Sequence, residues 1–127
     1  MDTTGLDHVI LTVSDPIRSR SFYCDLLGFK PFDFDDPSHS FCFSSGGVSF
    51  FFFPSNHPLP DDRFNEFRIG LDHLSFTAPS MEALQALADK LIAAGVDTRG
   101  VEKFTPTGNW YVCFRDPDNI QLEYWLP

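Results

Sequence analysis

Two histidines and one glutamate carry the chemistry this chain could do. His8 closes the tetrapeptide Gly5-Leu6-Asp7-His8, and His73 closes its repeat, Gly70-Leu71-Asp72-His73, sixty-five residues later. Glu123 stands in the run Ile120-Gln121-Leu122-Glu123. Imidazole nitrogens and carboxylate oxygens are common ligands of divalent metals and common proton carriers near neutral pH. Singly, a histidine on a strand is ordinarily a hydrogen-bonded interior imidazole, and a glutamate at a strand end an exposed charge. A repeat-related pair of histidines with a carboxylate asks for more, provided the fold gives all three the same kind of face.

The elements that would position them follow the same repeat. After the first copy comes a helical stretch with Asp15 as N-cap, Pro16 in the first turn, apolar Ile17, Phe22, Leu26 and Leu27, and then Gly28. After the second, Ser80 is the cap, Glu82 lies in the first turn, Met81, Leu84, Leu87, Ala88 and Leu91 are the apolar positions, and Gly95 follows. Past each glycine, aromatic and β-branched runs broken by turn residues predict strands. In the first half these cover roughly Phe29–Phe34, Ser40–Phe43 and Val48–Phe53; in the second, Val96–Phe104, Trp110–Arg115 and Ile120–Tyr124. The expected fold is therefore α+β: two tandem βαβββ modules, about 5–53 and 70–127, joined by a proline-containing linker over about 54–69 within one domain of 127 residues.

Alternation along each strand separates two faces. Val9, Leu11 and Val13 oppose His8, Ile10 and Thr12; Leu74, Phe76 and Ala78 oppose His73, Ser75 and Thr77; Ile120, Leu122 and Tyr124 oppose Gln121, Glu123 and Trp125. Both histidines and the glutamate fall on faces that the helices leave open. Asp116-Pro117-Asp118-Asn119 reads as a tight turn. With Asp116 and Asn119 flanking that turn, Val112 lies opposite Glu123, Phe114 opposite Gln121 and Trp110 opposite Trp125, so these six line one patch around the carboxylate.

Bulk composition narrows the classes. A formal net charge of −9 repels nucleic acid and anionic membrane, whose binding draws on Lys and Arg. No apolar run is long enough to span a bilayer, and the N-terminal residues lack the pattern of a signal peptide. Cys24, Cys42 and Cys113 are odd in number and widely spaced, which favours reduced thiols and a cytoplasmic setting. Fifteen phenylalanines call for a strongly aromatic core or cavity.

Across essentially its whole length the sequence resembles the vicinal-oxygen-chelate superfamily of glyoxalases, bleomycin-resistance proteins and dioxygenases. The matching stretches are Gly5-Leu6-Asp7-His8-Val9, Phe22-Tyr23-Cys24-Asp25-Leu26-Leu27-Gly28-Phe29, Leu71-Asp72-His73-Leu74 and Phe114-Arg115-Asp116-Pro117-Asp118-Asn119-Ile120-Gln121-Leu122-Glu123. The resemblance implies sheets cupped around one divalent ion (Fe, Mn, Zn, Ni or Co), with ligands His8, His73 and Glu123, Glu123 also serving catalysis. It implies a fourth position at Phe51, a side chain that can neither bind a metal nor move a proton. Phe51, Trp110, Val112, Phe114, Gln121 and Trp125 become the expected substrate-binding residues. His39 and His57, beside Ser and Pro in expected loops, are surface residues on the sequence reading, either able to serve as an acid or base. The implied function is a metal-dependent enzyme acting on a small chelating oxygenated substrate, a lyase or isomerase or an extradiol-type dioxygenase, in a homodimer. A metal-free ligand-binding protein of the bleomycin-resistance kind and a fosfomycin-type thiol transferase are the alternatives; for the latter, Arg68, Lys103 and Arg115 are few and scattered.

Overall fold

The computed structural model describes all 127 residues and divides the chain into two compact units, Met1–Asp62 and Arg63–Pro127. In the first, β1 (His8–Val13) is followed by α1 (Pro16–Arg20), which continues as a π-helical segment (Ser21–Leu26), and then by β2 (Phe32–Asp33), β3 (Phe41–Ser45) and β4 (Val48–Pro54). In the second, β5 (Leu74–Thr77) is followed by α2 (Met81–Ala93), β6 (Thr98–Phe104), β7 (Asn109–Arg115) and β8 (Gln121–Leu126). Each unit is thus βαβββ, as the repeat predicts. The two sheets, ordered β1-β4-β3-β2 and β5-β8-β7-β6, are open and mixed, with one parallel pair in each.

The helix starts follow from their caps. The Asp15 carboxylate accepts from the amides of Ile17 and Arg18 at 3.0 and 3.3 Å, and the Ser80 hydroxyl from Ala83 at 3.1 Å. The first helix ends through the amide of Phe29 on the carbonyl of Tyr23, a closure that needs the left-handed backbone of Gly28 (φ 89°). That closure also shortens the expected strand 29–34 to two residues. Phe29 folds back so that its ring stacks on Phe43 at 4.0 Å, and Pro31 has no amide to give a ladder.

Alternation on β4 sorts the phenylalanines. Phe50 and Phe52 are buried beside Phe41, Phe43 and Tyr23, with Phe41 and Phe52 stacked at 4.5 Å; Phe51 and Phe53 point to the opposite, open face. In the second unit α2 packs Leu84, Ala88 and Leu91 onto the sheet, where Val112, Phe114 and Leu122 are equally buried. Each such large side chain contributes about 1.5–3 kcal/mol on burial. The stretch expected as linker is partly structured: the Asn119 amide nitrogen donates to the Phe64 carbonyl at 2.9 Å, and Arg115 holds Glu66 in a bidentate pair. Residues from Arg63 onward therefore belong to the second unit.

Candidate metal-binding site

His73 and Glu123 come together in the second unit, each held by a neighbour. His73 lies one residue ahead of β5, and its Nδ1 is 2.6 Å from Asp72 Oδ1. A carboxylate only accepts, so in the neutral imidazole the shared proton sits on Nδ1 and Nε2 keeps its lone pair. Gln121 Nε2 donates to the same Asp72 oxygen at 3.3 Å. Glu123, on β8, accepts from the Ser75 hydroxyl at 3.0 Å, and its other oxygen faces His73 Nε2 at 3.9 Å. Two acceptors that face each other across a gap too long for a hydrogen bond make a place for a cation. The Glu123 side chain is only 14% exposed, against 35% for His73.

The first unit repeats half of this arrangement. His8 Nδ1 is 2.6 Å from Asp7 Oδ1, the same contact that holds His73. Register fixes the equivalence of the fourth position: Ile10 pairs with Phe51 on β4 just as Ser75 pairs with Glu123 on β8. Where Glu123 faces His73, the Phe51 ring meets His8 edge-on at 5.8 Å. His8 belongs to the first unit and the other two expected ligands to the second; within neither unit are three or more His, Cys, Asp or Glu side chains gathered to hold an ion. The donor chemistry fits a divalent ion nonetheless: imidazoles whose Nδ1 atoms are fixed by carboxylates, and a carboxylate oriented by a hydroxyl.

The β7–β8 register differs by one residue from the sequence expectation. Cys113, not Val112, pairs with Glu123; Arg115, not Phe114, with Gln121; and Tyr111, not Trp110, with Trp125. The turn is closed by the Asn119 amide on the Asp116 carbonyl, and Asn119 then adopts a left-handed backbone (φ 69°) so that Asp116 pairs with Ile120. The loop is one residue longer than a two-residue turn, and a one-residue slip turns every side chain to the other face. Val112 (0% exposed) and Phe114 (1%) are core, and Trp110 shares their side of the sheet, with Lys103 Nζ 5.4 Å from its ring centre. Gln121 and Trp125 remain on the face of Glu123, joined there by Tyr111 and Cys113; Tyr111 stacks on Trp125 at 5.9 Å.

His39 has a left-handed backbone (φ 59°) and lines a cavity of about 220 Å³ in the first unit with Arg20, Asp33, Phe34 and Ser40; His57 is an exposed loop residue whose amide donates to Ser55. Asp116 is buried for a structural reason, its carboxylate accepting from the amides of Asp118 and Ile120 at 2.8 Å each.

A duplicated βαβββ chain with a histidine at the head of each repeat and a carboxylate on the last strand has the form of a vicinal-oxygen-chelate protein. The chain belongs to the Glyoxalase/Bleomycin resistance protein/Dioxygenase superfamily, whose family model it matches over residues 5–124. It is 29% identical to YwkD of Bacillus subtilis (strain 168) over 94% of both chains. Its fold matches the glyoxylase/bleomycin resistance protein/dioxygenase domain from Frankia sp. EAN1pec with a TM-score of 0.83 and 34% identity, over 98% of this chain and 93% of that one. Lactoylglutathione lyase from Agrobacterium tumefaciens, 18% identical with a TM-score of 0.73 over 99% and 96% of the two chains, is alike in fold. No helix is long and apolar enough to cross a membrane.

Proposed function

We propose that this chain is a divalent-metal-dependent enzyme in which His8, His73 and Glu123 hold one ion (Fe, Mn, Zn, Ni or Co) and a small substrate binds through paired oxygens. The observation that carries the reading is the pairing of His73 Nε2 with Glu123, each held in place by Asp72 and Ser75. The repeat supplies a third donor of the same construction in His8 with Asp7. Bound there, the ion would act as a Lewis acid toward the substrate oxygens. The chain's own part is to present the donors, to exclude water with Trp125 and Tyr111, and to move protons. We assign the two units to one functional domain, in a homodimer, in the cytoplasm.

Between the branches of the superfamily, Phe51 argues against an isomerase that uses one carboxylate from each module, because it replaces the carboxylate of the first. A phosphonate-binding thiol transferase is disfavoured by its cations: Arg115 is tied to Glu66 and Lys103 lies over Trp110 on the far side of the sheet. A metal-free binding protein has no use for two histidines so carefully oriented. Lyase or isomerase chemistry on an aromatic or hydroxy-ketone substrate, or extradiol-type ring cleavage, is the activity to look for. Turnover of catechols, hydroxy-ketones and the methylglyoxal–glutathione hemithioacetal, with Fe(II), Mn(II), Ni(II) and Zn(II) supplied in turn, tests this. Metal-dependent turnover of a catechol or hydroxy-ketone is expected. Efficient hemithioacetal isomerisation abolished by Glu123→Gln would contradict the use made of Phe51.

A further inference from the structure

An aromatic field lies beside His8 in the first unit. β4 puts Phe51 and Phe53 on the open face of its sheet. Phe34 joins them from just after β2, its amide donating to the Ser40 carbonyl at 3.1 Å. The three rings are nearly parallel. Phe34 stands 6.1 Å from both Phe51 and Phe53, and those two stand 6.0 Å apart, with interplanar angles of 13°, 19° and 6°. Phe32, on the edge strand, meets Phe34 edge-on at 5.7 Å, and at the other end Phe51 meets the His8 imidazole at 5.8 Å. An unbroken series of ring contacts therefore runs from a candidate metal ligand to the edge of the sheet.

Polar and apolar groups are segregated on this face. His8 pairs with Ser49 and Ser49 with Ser44, and the two serine hydroxyls are 3.4 Å apart, so the row at the head of β1 is polar. The next row runs Ile10, Phe51, Cys42, Phe32, and beyond it lie the rings of Phe53 and Phe34. None of the four strands puts an Asp, Glu, Lys or Arg on this face. Asp33 pairs with the buried Phe41, on the helix side, where Arg20 takes it up. The rings are held but not sealed: Ile10 is 56% and Phe32 65% exposed, and Phe34, Phe51 and Phe53 are half-buried, whereas Phe41, Phe43, Phe50 and Phe52 of the opposite face are buried. Such a surface favours an aromatic ring, which it can meet edge-on or offset-stacked. It disfavours a charged body, which would lose hydration without gaining a counter-charge.

We infer that Phe34 and Phe53, joined to His8 through Phe51, are specificity-determining residues of the candidate site and select a ligand with a flat, uncharged aromatic body and its chelating oxygens at one end. This rests on the metal-site reading above. Oxygens directed to the His8 end carry the body over Phe51 and against Phe34 and Phe53. Phe51 thus does two things at once: it withholds a fourth ligand, and it extends the aromatic field as far as the histidine. An aliphatic hydroxy-ketone offers the same oxygens but no ring for the field to meet.

The test holds the chelating group constant and varies the body. Benzohydroxamate, cyclohexanecarbohydroxamate and acetohydroxamate are titrated calorimetrically into Zn(II)-loaded wild type, Phe34→Leu, Phe53→Leu and His8→Ala, with the metal content of each protein measured. Wild type is expected to bind the phenyl probe about tenfold more tightly than the cyclohexyl one, the scale of one or two aromatic ring contacts, and acetohydroxamate more weakly than either. In Phe34→Leu and in Phe53→Leu the phenyl-to-cyclohexyl ratio should fall by about threefold or more. Leucine is apolar, so that loss reports ring contact rather than burial, and the wild-type ratio needs no variant to fold. A wild type that does not prefer the phenyl probe, or binds none of it, overturns the inference, as does a ratio unchanged in both leucine variants. Should those variants weaken self-association and leave the ratio unchanged, the face belongs to a second copy of the chain. Metal retained in full by His8→Ala, with the phenyl preference intact, overturns the place of His8 in the metal-site reading and leaves the aromatic selection standing.

Discussion

Phe51 and Glu123 occupy equivalent positions in the two repeats, each paired across a parallel ladder with the residue two places after its histidine: Ile10 with Phe51, Ser75 with Glu123. One repeat therefore offers a histidine against an aromatic ring and the other a histidine against a carboxylate. Phe51→Glu restores the carboxylate to the first repeat. We expect it to strengthen divalent-metal binding by about tenfold, the scale of one added charged ligand interaction, measured by competition with a chromophoric chelator. Unaltered or weaker binding would show that Phe51 does not stand where a ligand could.

The pair Glu66–Arg115 ties residues 63–69 to the β7–β8 hairpin and contributes to the acid limb of stability. Hydrogen bonds from Arg115 hold the Glu66 carboxyl down at about 2, from an ordinary 4.5. A depressed carboxylate stabilises the fold fully above the unfolded value, and that contribution is lost as pH falls from about 4.5 toward 2. In thermal unfolding followed across this range, Glu66→Gln should have a lower midpoint at neutral pH and a flatter decline between pH 4.5 and 2 than wild type. Parallel curves for the two proteins would contradict this.

The register of the last hairpin predicts opposite consequences for neighbouring residues. Phe114→Ala should cost about 3–5 kcal/mol in chemical denaturation, because Phe114 is buried among Leu122, Tyr124 and their neighbours. Cys113→Ala, on the open face, should cost well under half as much. The reverse order would mean that the tight-turn register is the real one.

The parts legible in the sequence are those that depend on short-range chemistry. The tetrapeptide repeat marked the duplicated βαβββ order, Asp15 and Ser80 marked the helix starts, and alternation separated buried from open positions on β1 and β4. The parts that were not legible turn on the parity of a strand. A left-handed Asn119 lengthened one turn by a residue and exchanged Val112 and Phe114 for Cys113 and Tyr111 on the site face. A bulge at Gly100 in β6 carried Glu102 across in the same way. Asn and Gly permit these conformations without requiring them, so sequence alone signals the possibility and not the outcome.

Open sheets leave edges, and Ile10, Phe32, Phe67, Ile69 and Leu71 are large apolar side chains left exposed in the single chain. We expect a homodimer in solution. Sedimentation equilibrium should return twice the 14.4 kDa chain mass. A concentration-independent monomer that retains full activity would rule this out.

The metal content of the purified protein tests the central assignment most directly. Wild-type protein saturated with a divalent ion and freed of excess is expected to retain about one ion per chain. His8→Ala, His73→Ala and Glu123→Ala should each lose most of it, while Cys113→Ala, paired with Glu123 on the same face, should not. Stoichiometric metal retained in all three ligand variants, or no metal retained by wild type, would contradict the account.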